Sequence, residues 1–264
     1  MSAVKPHERA ELESDMGQVL QGKVALVTGG SAGIGKAIAS RFVAEGAEVV
    51  ITGRRQTELD VAVAELGIGA SGIRADVSKV DDLDSVYDHI RTDHGALDIV
   101  VANAGGGVGT VALGEITQEQ YATVFDTNVK GVVFTVQKAL PLFRESASII
   151  LIGSTASLSP GTGMTLYASS KAAVRNLARC WTIDLQGTGT RVNVLSPGAT
   201  LTPGLLTINP NDEEGLLDGL KSIVPLGRIA DPDEIAKVAL FLASDASSYV
   251  QGAELFADGG LAQV

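Results

Sequence analysis

Lys23-Val24-Ala25-Leu26-Val27-Thr28-Gly29-Gly30-Ser31-Ala32-Gly33-Ile34-Gly35-Lys36 decides how the whole chain is read. The apolar run 23–28 is short and ends at glycine, the pattern of a strand buried on both faces. The run 36–45 has helical spacing and stops at Gly46. A strand, a glycine-rich turn and a helix are the context a dinucleotide-phosphate cradle requires. Glycine lets the backbone approach a pyrophosphate, and the helix N-terminus faces its charge. The spacing is Gly-x-x-x-Gly-x-Gly rather than the common Gly-x-Gly-x-x-Gly.

Outward from this turn, strands and helices alternate. Strands are expected at 48–52, 72–75, 97–102, 147–152, 190–195 and 253–257. Helices are expected at 57–66, 80–94, 118–143, 165–186 and 232–243, with Thr117 and Asp231 as caps. Such alternation predicts a Rossmann-type, doubly wound parallel sheet of about seven strands with helices on both faces, in one domain. Residues 1–21 read as a mobile leader with a short helix over 8–15, and 22–264 as the domain. Residues 199–228 are irregular and leucine-rich, which suggests a loop-plus-helix lid.

The second strand is followed by Gly53-Arg54-Arg55. An acidic residue there would bond a ribose 2′-hydroxyl. Two arginines read either as a solvated helix start or, beside a phosphate cradle, as a 2′-phosphate site. The second reading predicts NADP(H) over NAD(H), with NAD(H) still possible, and Ser31 as a further donor. Asn128 falls inside an expected helix, where Asn is unfavourable. It reads as a polar group kept to hold a water or bend the helix.

After the fifth strand comes Ser154, and then Tyr167 and Lys171, four residues apart. On a helix both side chains leave the same face. An ammonium fixed beside a phenol favours the phenolate, which predicts a lowered Tyr167 pKa and proton exchange near neutrality. Ser154 is expected at a strand's carboxyl end, where ligands bind in such sheets.

Composition narrows the function classes. Of 264 residues, 45% are apolar and 19% charged, as in a globular chain. The formal net charge of −11 argues against nucleic-acid or anionic-membrane partners. Aromatics at 4% offer little base-stacking surface. No apolar run is long enough to span a membrane. The single Cys180 and three histidines give no metal-ligand spacing. No apolar signal region is evident, so a reducing cytoplasm is expected. The apolar faces of helices 118–143 and 165–186 exceed what one sheet can cover. They predict a homotetramer, with Trp181 and Phe134 or Phe143 as anchors.

Taken together, Thr28-Gly29, Gly33-Ile34-Gly35, Asp76-Val77, Asn103-Ala104-Gly105, Asn128, Ser154, Tyr167-x-x-x-Lys171 and Pro197-Gly198 resemble the short-chain dehydrogenase/reductase family, in its compact single-domain branch. They stand in the family's order across about residues 22 to 262. Ala102 replaces the family's first Asn before Asn103. The resemblance implies hydride transfer between a nicotinamide cofactor and a carbonyl or secondary alcohol. It implies Tyr167 as general acid/base, with Lys171 lowering its pKa and holding the nicotinamide ribose. Ser154 would hydrogen-bond the substrate oxygen, and Asn128 would place a water reaching Lys171. Gly29, Ser31, Gly33, Ile34, Gly35, Arg54, Arg55, Asp76, Val77, Asn103, Ala104, Gly105, Pro197, Gly198 and Thr202 complete the expected cofactor set. Enoyl-reducing relatives place Lys farther from Tyr, so carbonyl chemistry is expected. A non-catalytic nucleotide sensor would not need Ser154, Tyr167 and Lys171 together. An epimerase of the extended branch would need a larger C-terminal domain.

Overall fold

The structure is a computed structural model and describes residues 18–209 and 211–264. The expected helix over 8–15 lies outside the described residues. One seven-stranded sheet has the order β3-β2-β1-β4-β5-β6-β7, and every pairing is parallel. Its strands are β1 Val24–Val27, β2 Glu48–Gly53, β3 Ala70–Arg74, β4 Leu97–Ala102, β5 Phe143–Ile152, β6 Arg191–Pro197 and β7 Glu254–Ala257. The helices are α1 Gly33–Ala44, α2 Gln56–Leu66, α3 Val80–Asp93, α4 Gln118–Phe125, α5 Gly131–Ala139 and α6 Thr165–Asp184. The short α7 Pro203–Leu206, α8 Glu213–Ile223 and α9 Pro232–Ala243 complete the set.

The period of two along each strand sorts side chains to two faces. Ala25, Val27, Ile51, Ile99, Val101, Ile150 and Ile152 pack with α1, α2 and α9. Their neighbours Val24, Leu26, Val50 and Val100 pack on the other face with Leu83, Val86, Tyr87 and Ile90 of α3. Further along that face, Ile149, Leu151, Val192 and Val194 meet Val174 and Ala178 of α6. Both faces are therefore covered, as the continuous apolar strands require. Strand order reverses between β1 and β4, which opens a crevice at the carboxyl ends of the strands.

Local signals fix several helix starts. Thr117 and Gln120 form a reciprocal capping box at α4, and Asp231 and Glu234 form another at α9 with Pro232 in its first turn. The single helix expected over 118–143 is not continuous. It breaks at a π turn, Asp126–Lys130, between α4 and α5. Phe143 already belongs to β5, which begins four residues earlier than the apolar pattern indicates. β3 lies at Ala70–Arg74 rather than 72–75, and α1 starts at Gly33. The packed body also reaches back before residue 22. Leu20 is fully buried in the core under α1, and its N–H donates to the Glu45 carbonyl at 2.9 Å.

Candidate active site

The crevice holds a cleft of about 210 Å3. Gly29, Ser31, Arg54, Asp76, Val77 and Ala104 line one part of it, and Gly105, Gly106 and Gly107 line another. The β1 turn is packed so closely that side chains cannot fit. A Cβ at Gly35 would lie 2.3 Å from the Gly29 carbonyl oxygen and 2.4 Å from Asn103 Nδ2. A Cβ at Gly30 would lie 2.6 Å from Ile51. Gly30 and Gly35 thus let the turn pack tightly, and Gly29 and Ser31 of the turn line the cleft beside the N-terminus of α1, a place suited to a pyrophosphate. Thr28 and Asn103 tie the β1 and β4 ends together. Thr28 Oγ1 accepts from the N–H groups of Asn103 (3.0 Å) and Ala104 (3.1 Å). Asn103 Nδ2 donates to the Thr28 carbonyl at 2.8 Å and the Gly29 carbonyl at 3.1 Å.

The glycine run after β4 leads to the polar residues that follow β5. A Cβ at Gly105 would lie 3.3 Å from Lys171 Nζ, and one at Gly107 would touch the Tyr167 ring at 3.7 Å. Tyr167 and Lys171 sit one turn apart on α6, with Nζ 5.8 Å from the phenol ring centroid. Lys171 Nζ donates to the Ile152 carbonyl at 2.8 Å. Ser154 lies two residues past the end of β5, and its Oγ accepts from the Ala156 N–H. Asn128 is fully buried in the π turn. Its Oδ1 accepts from the Gly106 N–H, while its Nδ2 donates to the Gly106 carbonyl and to Ser170 Oγ, each at 2.9 Å. A π turn widens a helix by one residue and is common at functional sites. Here it turns Asn128 toward the glycine run and α6.

Burial dominates the electrostatics. Lys171 is only 4% exposed, and loss of hydration pulls its ammonium down to about 8. Burial also pushes the Tyr167 phenol above its ordinary value, and the neighbouring Ser154 hydroxyl offsets this only in part. The expectation that Lys171 lowers Tyr167 is thus reversed in this geometry. The ammonium donates to the Ile152 carbonyl, and burial of the phenol decides the direction. At Asp76, burial alone would raise the carboxyl. Hydrogen bonds from Ser78 and the fields of Arg54 and Lys79 outweigh it and hold the group below its usual value.

Other expected residues divide by position. Thr202 caps α7, and its methyl would lie 3.2 Å from a Cβ at Gly33, so it faces the β1 turn. Gly198 packs against the Asp258 backbone, with Pro197 at the end of β6. Ile34 packs into the core beneath α1 and does not line the cleft. Asn103 likewise acts as a brace rather than a wall. Arg55 is paired with Glu58 on the first turn of α2, whereas Arg54 has no ion pair among the described residues. Sequence reasoning missed Glu58, Thr123 and Thr127 as lining residues. Thr123 lies on α4 and Thr127 in the π turn that follows it, and their four-residue spacing could have flagged them.

A family model described as Enoyl-(Acyl carrier protein) reductase matches residues 29–262. The chain is 45% identical over 249 residues to an oxidoreductase, asL5, of Sarocladium schorii, covering 94% of this chain and 98% of that one. It is 35% identical over 251 residues to the 3-oxoacyl-[acyl-carrier-protein] reductase FabG of Thermotoga maritima, covering 92% and 98%. A solved structure of a 3-ketoacyl-(acyl-carrier-protein) reductase from Brucella melitensis, complexed with NADH, superposes with a TM-score of 0.86. It shares 32% identity and covers 92% of this chain and 99% of that one. The match runs through the β1 turn, the π turn, Tyr167 and Lys171 to β7, and the chain belongs to the short-chain dehydrogenase/reductase family of oxidoreductases.

Proposed function

We propose that this chain interconverts a carbonyl compound and the corresponding secondary alcohol with a nicotinamide cofactor, and that it prefers NADP(H). The observation that supports this is continuity. The glycine run that floors the cleft also reaches within contact of Lys171 and Tyr167. A dinucleotide laid from the β1 turn along that run would end beside the phenol. The residues fit such a group: glycine backbone at Gly29, the Ser31 hydroxyl and a cation at Arg54 line the cleft. A bound nicotinamide supplies or takes the hydride. In the reducing direction Tyr167 Oη gives its proton to the carbonyl oxygen, and Ser154 Oγ donates to the same oxygen as charge builds there. Lys171 is still mostly an ammonium at neutral pH, with its value at about 8, and favours re-formation of the proton on Tyr167 from solvent. Asn128 holds the glycine run in place beneath it.

Arg54 is the residue proposed to meet a 2′-phosphate, since Arg55 is engaged by Glu58. Gly53 offers no carboxylate to a free 2′-hydroxyl. The space next to Gly53 is occupied, because a Cβ there would lie 2.9 Å from Ser31 Oγ. Arg54→Ala is therefore a cleaner test than an acidic residue at 53. Residues 199–228, containing α7 and α8, are proposed as the substrate lid, and the assembly as a homotetramer. The test screens ketones, aldehydes, sugars, a 3-oxoacyl thioester and an enoyl thioester with NADPH and NADH. Carbonyl reduction with NADPH favoured, and that preference falling about ten-fold in Arg54→Ala, is the expected result. Turnover of the enoyl thioester alone, or an NADH preference in the wild type, refutes the corresponding half of the reading.

A further inference from the structure

Glu254 is a buried carboxylate with no part in the chemistry described so far. It opens β7, where it pairs with Val194 of β6, and its side chain is 9% exposed. Acidic residues are depleted in strands, and a buried one needs partners. Its partners come from three separate segments. Oε1 accepts from Ser196 Oγ at 2.7 Å and from Ser157 Oγ at 3.3 Å. Oε2 lies 2.5 Å from Arg175 Nε, in an ion pair whose N–H is not aligned as a hydrogen bond.

Each partner stands close to a residue of the proposed machinery. Ser157 ends the short 3-10 turn Thr155–Ser157 that begins right after Ser154. Arg175 lies on α6 one turn beyond Lys171 and two beyond Tyr167. Ser196 precedes Pro197-Gly198 in the chain. Ser196 Oγ also occupies the space that Gly153, the residue before Ser154, leaves free. A Cβ at Gly153 would lie 2.3 Å from that oxygen.

The geometry points to Glu254 as a positioning residue that sets the distance between Ser154 and the Tyr167–Lys171 face of α6. One carboxylate ties the loop bearing Ser154 to the helix bearing Tyr167, on a strand that itself touches neither reacting atom. The inference rests on the reading of Tyr167 and Ser154 as the groups that handle the substrate oxygen. Misplacement of reacting groups by about 1 Å can cost about 100-fold in rate. The adenine side of the cleft, at Arg54 and Asp76, shares no contact with Glu254 and would be left intact.

The test compares wild type with Glu254→Gln and Arg175→Met. It uses the full chain and the best carbonyl substrate from the screen. Three quantities are measured: kcat, the Kd of the reduced cofactor by fluorescence, and the thermal midpoint. The expected result is a kcat about ten-fold lower in each folded variant, with cofactor Kd within about two-fold of wild type. Should Glu254→Gln not fold, Arg175→Met decides alone, because it keeps the aliphatic stem and leaves Glu254 its two hydroxyl donors. A kcat within about two-fold of wild type overturns the positioning role. Parallel losses of kcat, cofactor affinity and thermal midpoint also overturn it, since they mark a merely structural residue. If wild type reduces no carbonyl at all, the reading of the site fails first and this inference fails with it.

Discussion

Tyr167→Phe removes one oxygen and leaves the ring that packs against Gly107. The variant should fold and bind cofactor, and lose about 100-fold to 10,000-fold in kcat, the usual worth of a positioned acid or base. Near-normal kcat in the purified variant would place the proton donor elsewhere. Lys171 gives a second residue-scale outcome, through stability. Its folded value of about 8 lies below its ordinary 10.5, so the unfolded chain binds a proton that the folded chain has released between those limits. The stabilisation from this group is full above the unfolded value and is lost as pH falls toward about 8. A displacement of this size corresponds to about 3 kcal/mol. Urea unfolding should therefore show wild type gaining on Lys171→Met by up to that amount between about pH 8 and about pH 10. A gap that stays constant with pH would mean that burial does not burden the ammonium.

At the scale of elements, continuous apolar runs made β1, β2, β4 and β6 readable, because these strands are buried on both faces. The caps of α4 and α9 were readable for the same local reason. The break at Asp126–Lys130 was not, since its cause is long-range. Asn128 is satisfied by Gly106 and by Ser170, which lie 22 and 42 residues away. Its odd position inside a helical pattern, read as holding a water or bending the helix, does coincide with the π turn. The sign of the Tyr167 perturbation was also hidden, because spacing gives the Lys171 neighbour but not the depth of burial. Glu254 was invisible as a hub, as its partners come from three distant segments. The π turn itself can be tested. Asn128→Ala leaves the Gly106 N–H and carbonyl without their partner, at a cost of about 1–3 kcal/mol. Thermal unfolding should show that loss, and KM for the cofactor should rise because the glycine run loosens. An unchanged KM with a lowered thermal midpoint would make Asn128 a fold residue only.

For the whole molecule, the sheet is an open one, and β7 forms one edge. The aromatic side chains expected to anchor a neighbour are already partly covered. Phe134, Phe143 and Trp181 pack against the chain's own core. Other apolar side chains are exposed at many points among the described residues, and two groups of them are proposed as contacts between chains. On α4, α6 and the turn after α5, Tyr121, Ile183 and Leu140 are 51%, 72% and 41% exposed, with Tyr121 stacked on Phe125 at 4.4 Å. On α9 and the loop before β7, Phe241 is 38% exposed and Tyr249 fully so. A single self-complementary patch gives a two-fold dimer, and two independent ones give a tetramer of dihedral symmetry. Light scattering at micromolar concentration should therefore report four chains. Tyr121→Glu puts a charge into the first proposed contact and leaves the second untouched, so it should yield dimers with the sheet intact. A monomeric wild type would overturn the assembly. A tetramer that survives both Tyr121→Glu and Ile183→Asp would move the first contact to another surface of the same chain.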